Sequence, residues 1–88
     1  SSVAVMDKTQ VLDVDAKPIG TVEGESCQTD DTQPIPNITD AQPSARKKVA
    51  DMGGNAVVFS KCAPVPASSE CIASMVCYGQ AYQVKDSE

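Results

Sequence analysis

Residues 39–60 read TDAQPSARKKVADMGGNAVVFS, and this stretch decides the fold. Ala41, Ala45, Val49 and Met52 fall at i, i+4, i+8 and i+11, one narrow apolar stripe on a helix running from Thr39 to Met52. Thr39 or Asp40 supplies its N-cap, and Pro43 suits a first turn. Gly53-Gly54 ends it, because glycine readily takes the left-handed conformation that closes a helix. Asn55-Ala56-Val57-Val58-Phe59-Ser60 is then β-branched and aromatic, the pattern of a buried strand. The small residues of the stripe let the helix sit close on a sheet.

Outward from this unit the pattern is strand and loop. Val3-Ala4-Val5-Met6 reads as a short strand. Asp13, Asp15 and Lys17-Pro18 interrupt before a second strand, Ile19-Gly20-Thr21-Val22-Glu23-Gly24, which ends at Cys27. Glycine inside a strand marks a bulge or a close backbone approach. Residues 28–38 form a loop, since Asp30-Asp31, Pro34, Pro36 and Asn37 carry no periodicity. A loop of this length is pinned or functional. Asn37-Ile38-Thr39 is formally a glycosylation sequon. Ala63 to Ser69, with Pro64 and Pro66, reads as a second loop. Ile72 to Val84 alternates as one long strand, bulged at Gly79, and the polar tail 85–88 frays. No repeat divides the chain, so residues 1–88 make a single domain. The fold class is α/β of the α+β type: a small antiparallel β-sheet with one main helix packed on it, stapled by two disulfides.

Composition excludes several functions. Of 88 residues, 41% are hydrophobic, but 11 are Val and 10 are Ala, with one Leu (Leu12), one Phe (Phe59) and no Trp. Helical bundles are built on Leu, of which this chain has one. No apolar run of about 18 residues exists to span a membrane. The net charge of −5 opposes nucleic-acid binding. Without His, no Ser–His or Cys–His nucleophile pair and no imidazole metal ligand can be assembled. Nothing calls for a cofactor or metal, and no catalytic set is nominated. No signal peptide opens the chain at Ser1, as expected of a cytosolic protein or a mature, trimmed fragment.

Four cysteines, Cys27, Cys62, Cys71 and Cys77, contain no C-x-x-C, which disfavours a zinc ribbon or a thioredoxin-type motif. Two structural disulfides are expected, and with them an oxidising compartment. Pairing Cys71 with Cys77 fails on an extended strand, where they lie about 20 Å apart against a Cα separation of about 7 Å at most for a bridge. Two connectivities remain open: Cys62–Cys71 with Cys27–Cys77, or Cys27–Cys71 with Cys62–Cys77.

Arg46, Lys47 and Lys48 gather three of the seven cations in one place. They read either as a solvated helix face or as a partner-docking patch, turned to the flank or solvent and adding little to folding.

Gly20-Thr21-Val22-Glu23-Gly24-Glu25-Ser26-Cys27-Gln28, then Pro43-Ser44-Ala45-Arg46-Lys47-Lys48, Gly54-Asn55-Ala56-Val57-Val58, Cys62, and Cys71 through Cys77-Tyr78-Gly79 together resemble the RcsF family. Its members are outer-membrane lipoprotein sensors of the Rcs envelope-stress phosphorelay in Gram-negative bacteria. The resemblance spans Val3 to Val84. It implies non-consecutive bridges, Cys27–Cys71 and Cys62–Cys77, on a small α/β domain. It implies a lipidated cysteine and a Pro-rich linker ahead of the domain, neither present here. The chain then looks like a soluble periplasmic signalling domain, held at the outer membrane only through that anchor. The implied partners are an IgaA-like inner-membrane repressor and outer-membrane β-barrel proteins such as BamA and OmpA. The implied function is non-catalytic: a monomer relaying outer-membrane or peptidoglycan damage to the phosphorelay by binding the repressor's periplasmic domain. Arg46, Lys47 and Lys48 match the family's basic surface, whereas Glu23, Glu25, Asp30 and Asp31 depart from it. The other reading is a disulfide-stabilised periplasmic or cell-surface binding domain outside this pathway.

Overall fold

Ala41, Ala45 and Val49 have no exposed surface at all, and their helix organises the rest of the chain. The computed structural model, which describes residues 3–85, contains β1 (Ala4–Val5), α1 (Lys8–Leu12), β2 (Ala16–Gln28), α2 (Ile38–Asp51), β3 (Ala56–Val65) and β4 (Ala73–Val84). The sheet order is β1-β3-β4-β2. β2, β4 and β3 are antiparallel neighbours as expected, while β1 joins the edge in parallel and makes the sheet mixed. Strands β2 and β4, of 13 and 12 residues, run about 40 Å at a strand's rise and account for a molecule 48 × 21 × 18 Å in extent.

Helix α2 lies almost backbone to backbone on β2. A side chain at Gly24 would run into the Ala41 carbonyl oxygen and the Ala45 amide nitrogen, and would stand 2.8 Å from Ala45 Cβ. Only glycine below and alanine above permit this approach. Val22, Val49, Val57, Ala45, Ala81 and Val3 then form the core, with Ile19 and Phe59 packed against it. Burying each valine contributes about 1.5–3 kcal/mol.

The ends of α2 are set by specific bonds. Asn37, not Thr39 or Asp40, is the N-cap: its side chain accepts from the Asp40 N–H at 2.9 Å, and its own N–H donates to Ser26 Oγ at 3.3 Å. That second bond pins the helix start to β2 and moves it to Ile38. Pro43 therefore falls in the second turn rather than the first. At the other end, Gly53 (φ +88°) follows the cap residue Met52, and the N–H groups of Gly54 and Gly53 donate to the carbonyls of Val49 and Ala50 at 2.9 and 3.0 Å. This is a Schellman closure. Met52 does not continue the buried stripe. As the cap residue it ends the helix, is 43% exposed, and lays its methyl group over Gly20.

Helix α1 has a signature that the strand reading passed over. Asp7 accepts from the Gln10 N–H and Gln10 Oε1 accepts from the Asp7 N–H, both at 2.8 Å. This D-x-x-Q capping box starts a short helix that buries Val11.

Two strands are longer than their sequence patterns. Strand β2 starts at Ala16, because its register with β4 shifts between Pro18 and Gly20 and resumes beyond them. Strand β3 runs through Pro64 to Val65, into the expected 63–69 loop. Cys62 faces Cys77 with Cα atoms 4.0 Å apart, the close spacing of a pair without mutual backbone bonds. Cys62, and Pro64 two residues on, therefore turn their backbone nitrogens to the outer edge. β1 covers β3 only at Ala56 and Val57, so the missing Pro64 N–H breaks no ladder bond.

The bulge expected at Gly79 lies opposite it. The register shift is in β3, between Phe59 and Lys61, while β4 stays regular. In β4, Cys77, Gly79 and Ala81 are buried on the α2 face, and Ser74 and Val76 on the other face. Of the expected frayed tail 85–88, Lys85 donates its N–H to the Asp15 carbonyl at 2.9 Å, and residues 86–88 lie outside the described residues.

The seating at Gly24 generates a prediction. Gly24→Ala forces α2 away from β2, an overpacking that costs about 1–3 kcal/mol. At about 4–8 °C per kcal/mol for a domain of this size, thermal melts should show a clearly lowered Tm. An unchanged Tm would mean that α2 is not seated on Gly24.

Candidate functional site

The two disulfides form the frame that holds the exposed elements. Cys77 sits in a row across the sheet, Gly24 on one side and Cys62 on the other. The Cys62–Cys77 bridge thus joins β3 to β4 directly, and Cys77 is wholly buried. The Cys27–Cys71 bridge, with Cα atoms 5.5 Å apart, ties the end of β2 to the turn before β4. Ser68 shapes that turn: its Oγ accepts from the Cys71 and Glu70 N–H groups at 3.1 and 3.3 Å, and its own N–H donates to the Cys71 carbonyl at 2.8 Å. The bridges interleave in chain order, spanning 44 and 15 residues.

The loop after Cys27 is pinned as its length requires, by side chains as well as by the bridge. Gln33 Oε1 accepts from the Thr29 N–H at 2.6 Å, and Gln28 Nε2 donates to the Gln33 carbonyl at 3.0 Å. Asp30 accepts from the Thr32 hydroxyl and from the Thr32 N–H. The hydroxyl first, and then the N–H, hold the Asp30 carboxyl below its ordinary pKa. The sequon asparagine is occupied by structure: besides capping α2, Asn37 Nδ2 donates to the Ile35 carbonyl at 3.3 Å and to Asp40 Oδ2 at 3.0 Å.

The basic triplet divides in two. Lys47 and Lys48 are exposed on the outer side of α2, and Lys48, in the last turn, complements the helix dipole. Arg46 is half-buried, and its Nε donates to the Val3 carbonyl at 3.2 Å. Of the triplet expected at the flank or in solvent, Lys47 and Lys48 take the solvent side and Arg46 the flank, where it reaches the residue before β1.

Asp40 and Asp51 are exposed on α2 itself, whereas Glu23 and Glu25 lie on the opposite side of the sheet. Gly24 meets α2, so by strand alternation Glu23 and Glu25 point to the other sheet face, where both are exposed. A depression of about 460 Å³ on that face is lined by Thr21, Glu23, Ser60 and Tyr78 among others, with Ser60 Oγ donating to the Tyr78 carbonyl at 3.2 Å. No sequence pattern marked it, since it arises from a bulge in one strand meeting residues of two others. Among the described residues, no three His, Cys, Asp or Glu side chains converge as a metal site.

The profile of the RcsF lipoprotein family matches residues 1–85 of the 88. The chain belongs to the RcsF lipoprotein family. No curated protein sequence matches it. Membership places this RcsF domain with the lipoproteins of Rcs envelope-stress signalling and implies an outer-membrane-associated location in the envelope. The bridges of this RcsF domain are the interleaved pair, Cys27–Cys71 and Cys62–Cys77, as the resemblance implied.

In the chain-entropy model, closing loops of these lengths is worth about 4 and 3 kcal/mol, against a total stability of about 5–13 kcal/mol for 88 residues. Non-reducing proteolysis with mass spectrometry should recover both peptide pairs, and reduction should abolish the cooperative melt. A Cys62–Cys71 peptide, or a reduced protein melting within a few degrees of the oxidised one, would contradict this account.

Proposed function

We propose that this domain is a non-catalytic signalling module of the Rcs pathway. It relays outer-membrane or peptidoglycan damage by docking the outer side of α2 onto an acidic surface of the periplasmic domain of an IgaA-like repressor. Outer-membrane β-barrel proteins such as BamA and OmpA hold the anchored protein until damage frees it. The observation carrying this reading is the separation of charge. Lys47 and Lys48 stand exposed on α2 while Glu23 and Glu25 occupy the far face of the sheet. In a chain of net charge −5, the two lysines offset Asp40 and Asp51 on the same helix, whereas the far face carries Glu23 and Glu25. Charge complementarity sets the encounter rate and orientation more than the final affinity. Family membership supplies the pathway.

Arg46 is left out of the docking test because it holds β1. The variant Lys47→Glu/Lys48→Glu should keep its Tm within about 2 °C, since exposed charges contribute about 0–1 kcal/mol. Its association with the repressor's periplasmic domain should slow about tenfold at low ionic strength, where the screening length is about 30 Å, and differ little at 1 M salt, where it is about 3 Å. Unchanged association at low salt with the fold intact would place the docking surface elsewhere.

A further inference from the structure

Strand β1 is held by few contacts for an element that closes the core. Its backbone pairs with β3 over two residues, through the Ala4 N–H to the Asn55 carbonyl and the Met6 N–H to the Val57 carbonyl, both at 2.9 Å. Val3 inserts into the core at 3% exposure, against Val49 and Val57 among others. The Arg46 guanidinium grips the Val3 carbonyl from α2, across 43 residues of sequence. Arg46 is thus shared between two places: its Nε serves β1, and its neighbours in sequence, Lys47 and Lys48, are the exposed cations of α2.

We propose that β1 is a releasable strap latched by Arg46, and that a carboxylate of an acidic partner on α2 frees it by taking the guanidinium. A carboxylate accepts two parallel bonds from a guanidinium, where a backbone carbonyl on Nε accepts one. Once Arg46 turns outward, β1 loses this tie to α2, and its parallel ladder with β3 covers two residues. Elements with so few contacts open at free energies well below that of global unfolding. Release bares the Asn55 carbonyl and the β3 edge at Val57 while leaving α2 seated at Gly24 and both disulfides closed. Docking on the helix is thereby converted into a change at the sheet edge. The coupling rests on the docking surface proposed above, whereas the strap itself does not.

Native-state hydrogen exchange on the oxidised full chain tests both parts. In the wild type, the Ala4 and Met6 amides should exchange at least about 100-fold faster than those of Val76–Ala81 in the central strand. Arg46→Ala should speed Ala4 and Met6 about tenfold more, the effect of losing a charged hydrogen bond, with the β4 amides unchanged. A saturating hexaglutamate peptide should speed the same two amides in the wild type and not in Arg46→Ala, which is already unlatched. Equal rates for β1 and β4 in the wild type would overturn the strap, and an unaltered β1 rate in Arg46→Ala would overturn the latch. Peptide binding that shifts the Lys47 and Lys48 resonances without speeding Ala4 and Met6 would overturn the coupling alone. Absence of peptide binding would overturn the docking surface and the coupling with it, leaving the strap to the first two measurements.

Discussion

The backbone of α2 meets the backbone of β2 at Gly24, and the remaining structure is arranged to keep it there. A chain rich in Val and Ala, with one Leu and one Phe, has few large side chains with which to fill a gap between helix and sheet. It closes the gap instead, placing Ala41 and Ala45 over a glycine so that valines and alanines, with Ile19 and Phe59 packed against them, suffice for the core. Neighbouring bonds fix the same contact. Ser44 Oγ accepts from the Glu25 N–H at 3.3 Å, Ser26 Oγ accepts from the N-cap residue, and the Cys62–Cys77 bridge lies in the same cross-sheet row as Gly24.

The disulfides follow from this economy. A helix of 14 residues covers about 21 Å, roughly half the length of β2 and β4. The remainder of the sheet is long, narrow and poor in large apolar side chains, and covalent links add to the hold of the helix. One bridge locks the two central antiparallel strands beneath the helix, and the other clamps the end of β2 to the turn preceding β4. An oxidising compartment, implied for a lipoprotein of the outer membrane, is the setting in which such links persist.

The same geometry separates the charges. Because Gly24 must face the helix, its neighbours Glu23 and Glu25 must face away. Because Ala45 and Val49 must face the sheet, Lys47 and Lys48 must face outward, and Arg46, at the margin, is captured by β1. The exposed lysines of α2 and the link of Arg46 to the chain before β1 therefore arise from the constraint that seats the helix. No dedicated site is needed to produce them.

Local sequence determined a good deal of this. The four-residue spacing of Ala41, Ala45 and Val49, the Gly53-Gly54 stop and the Val57-Val58 run are short-range signals, and each reappears as a buried helix face, a Schellman closure and a buried strand. The cysteine spacing implied bridges but left two pairings open. What lay beyond the sequence depends on partners distant in the chain. Asn37 became the cap because Ser26 in β2 holds its N–H. Pro64 was admitted to β3 because register with β4 turned its nitrogen to the free edge. Arg46 departs from its exposed neighbours Lys47 and Lys48 because folding brought the Val3 carbonyl to it. Periodicity reports which face of an element is apolar, since that is a property of neighbouring residues. The atom a given side chain then meets depends on register and on which strands lie side by side, and those come into being only when the whole sheet is assembled.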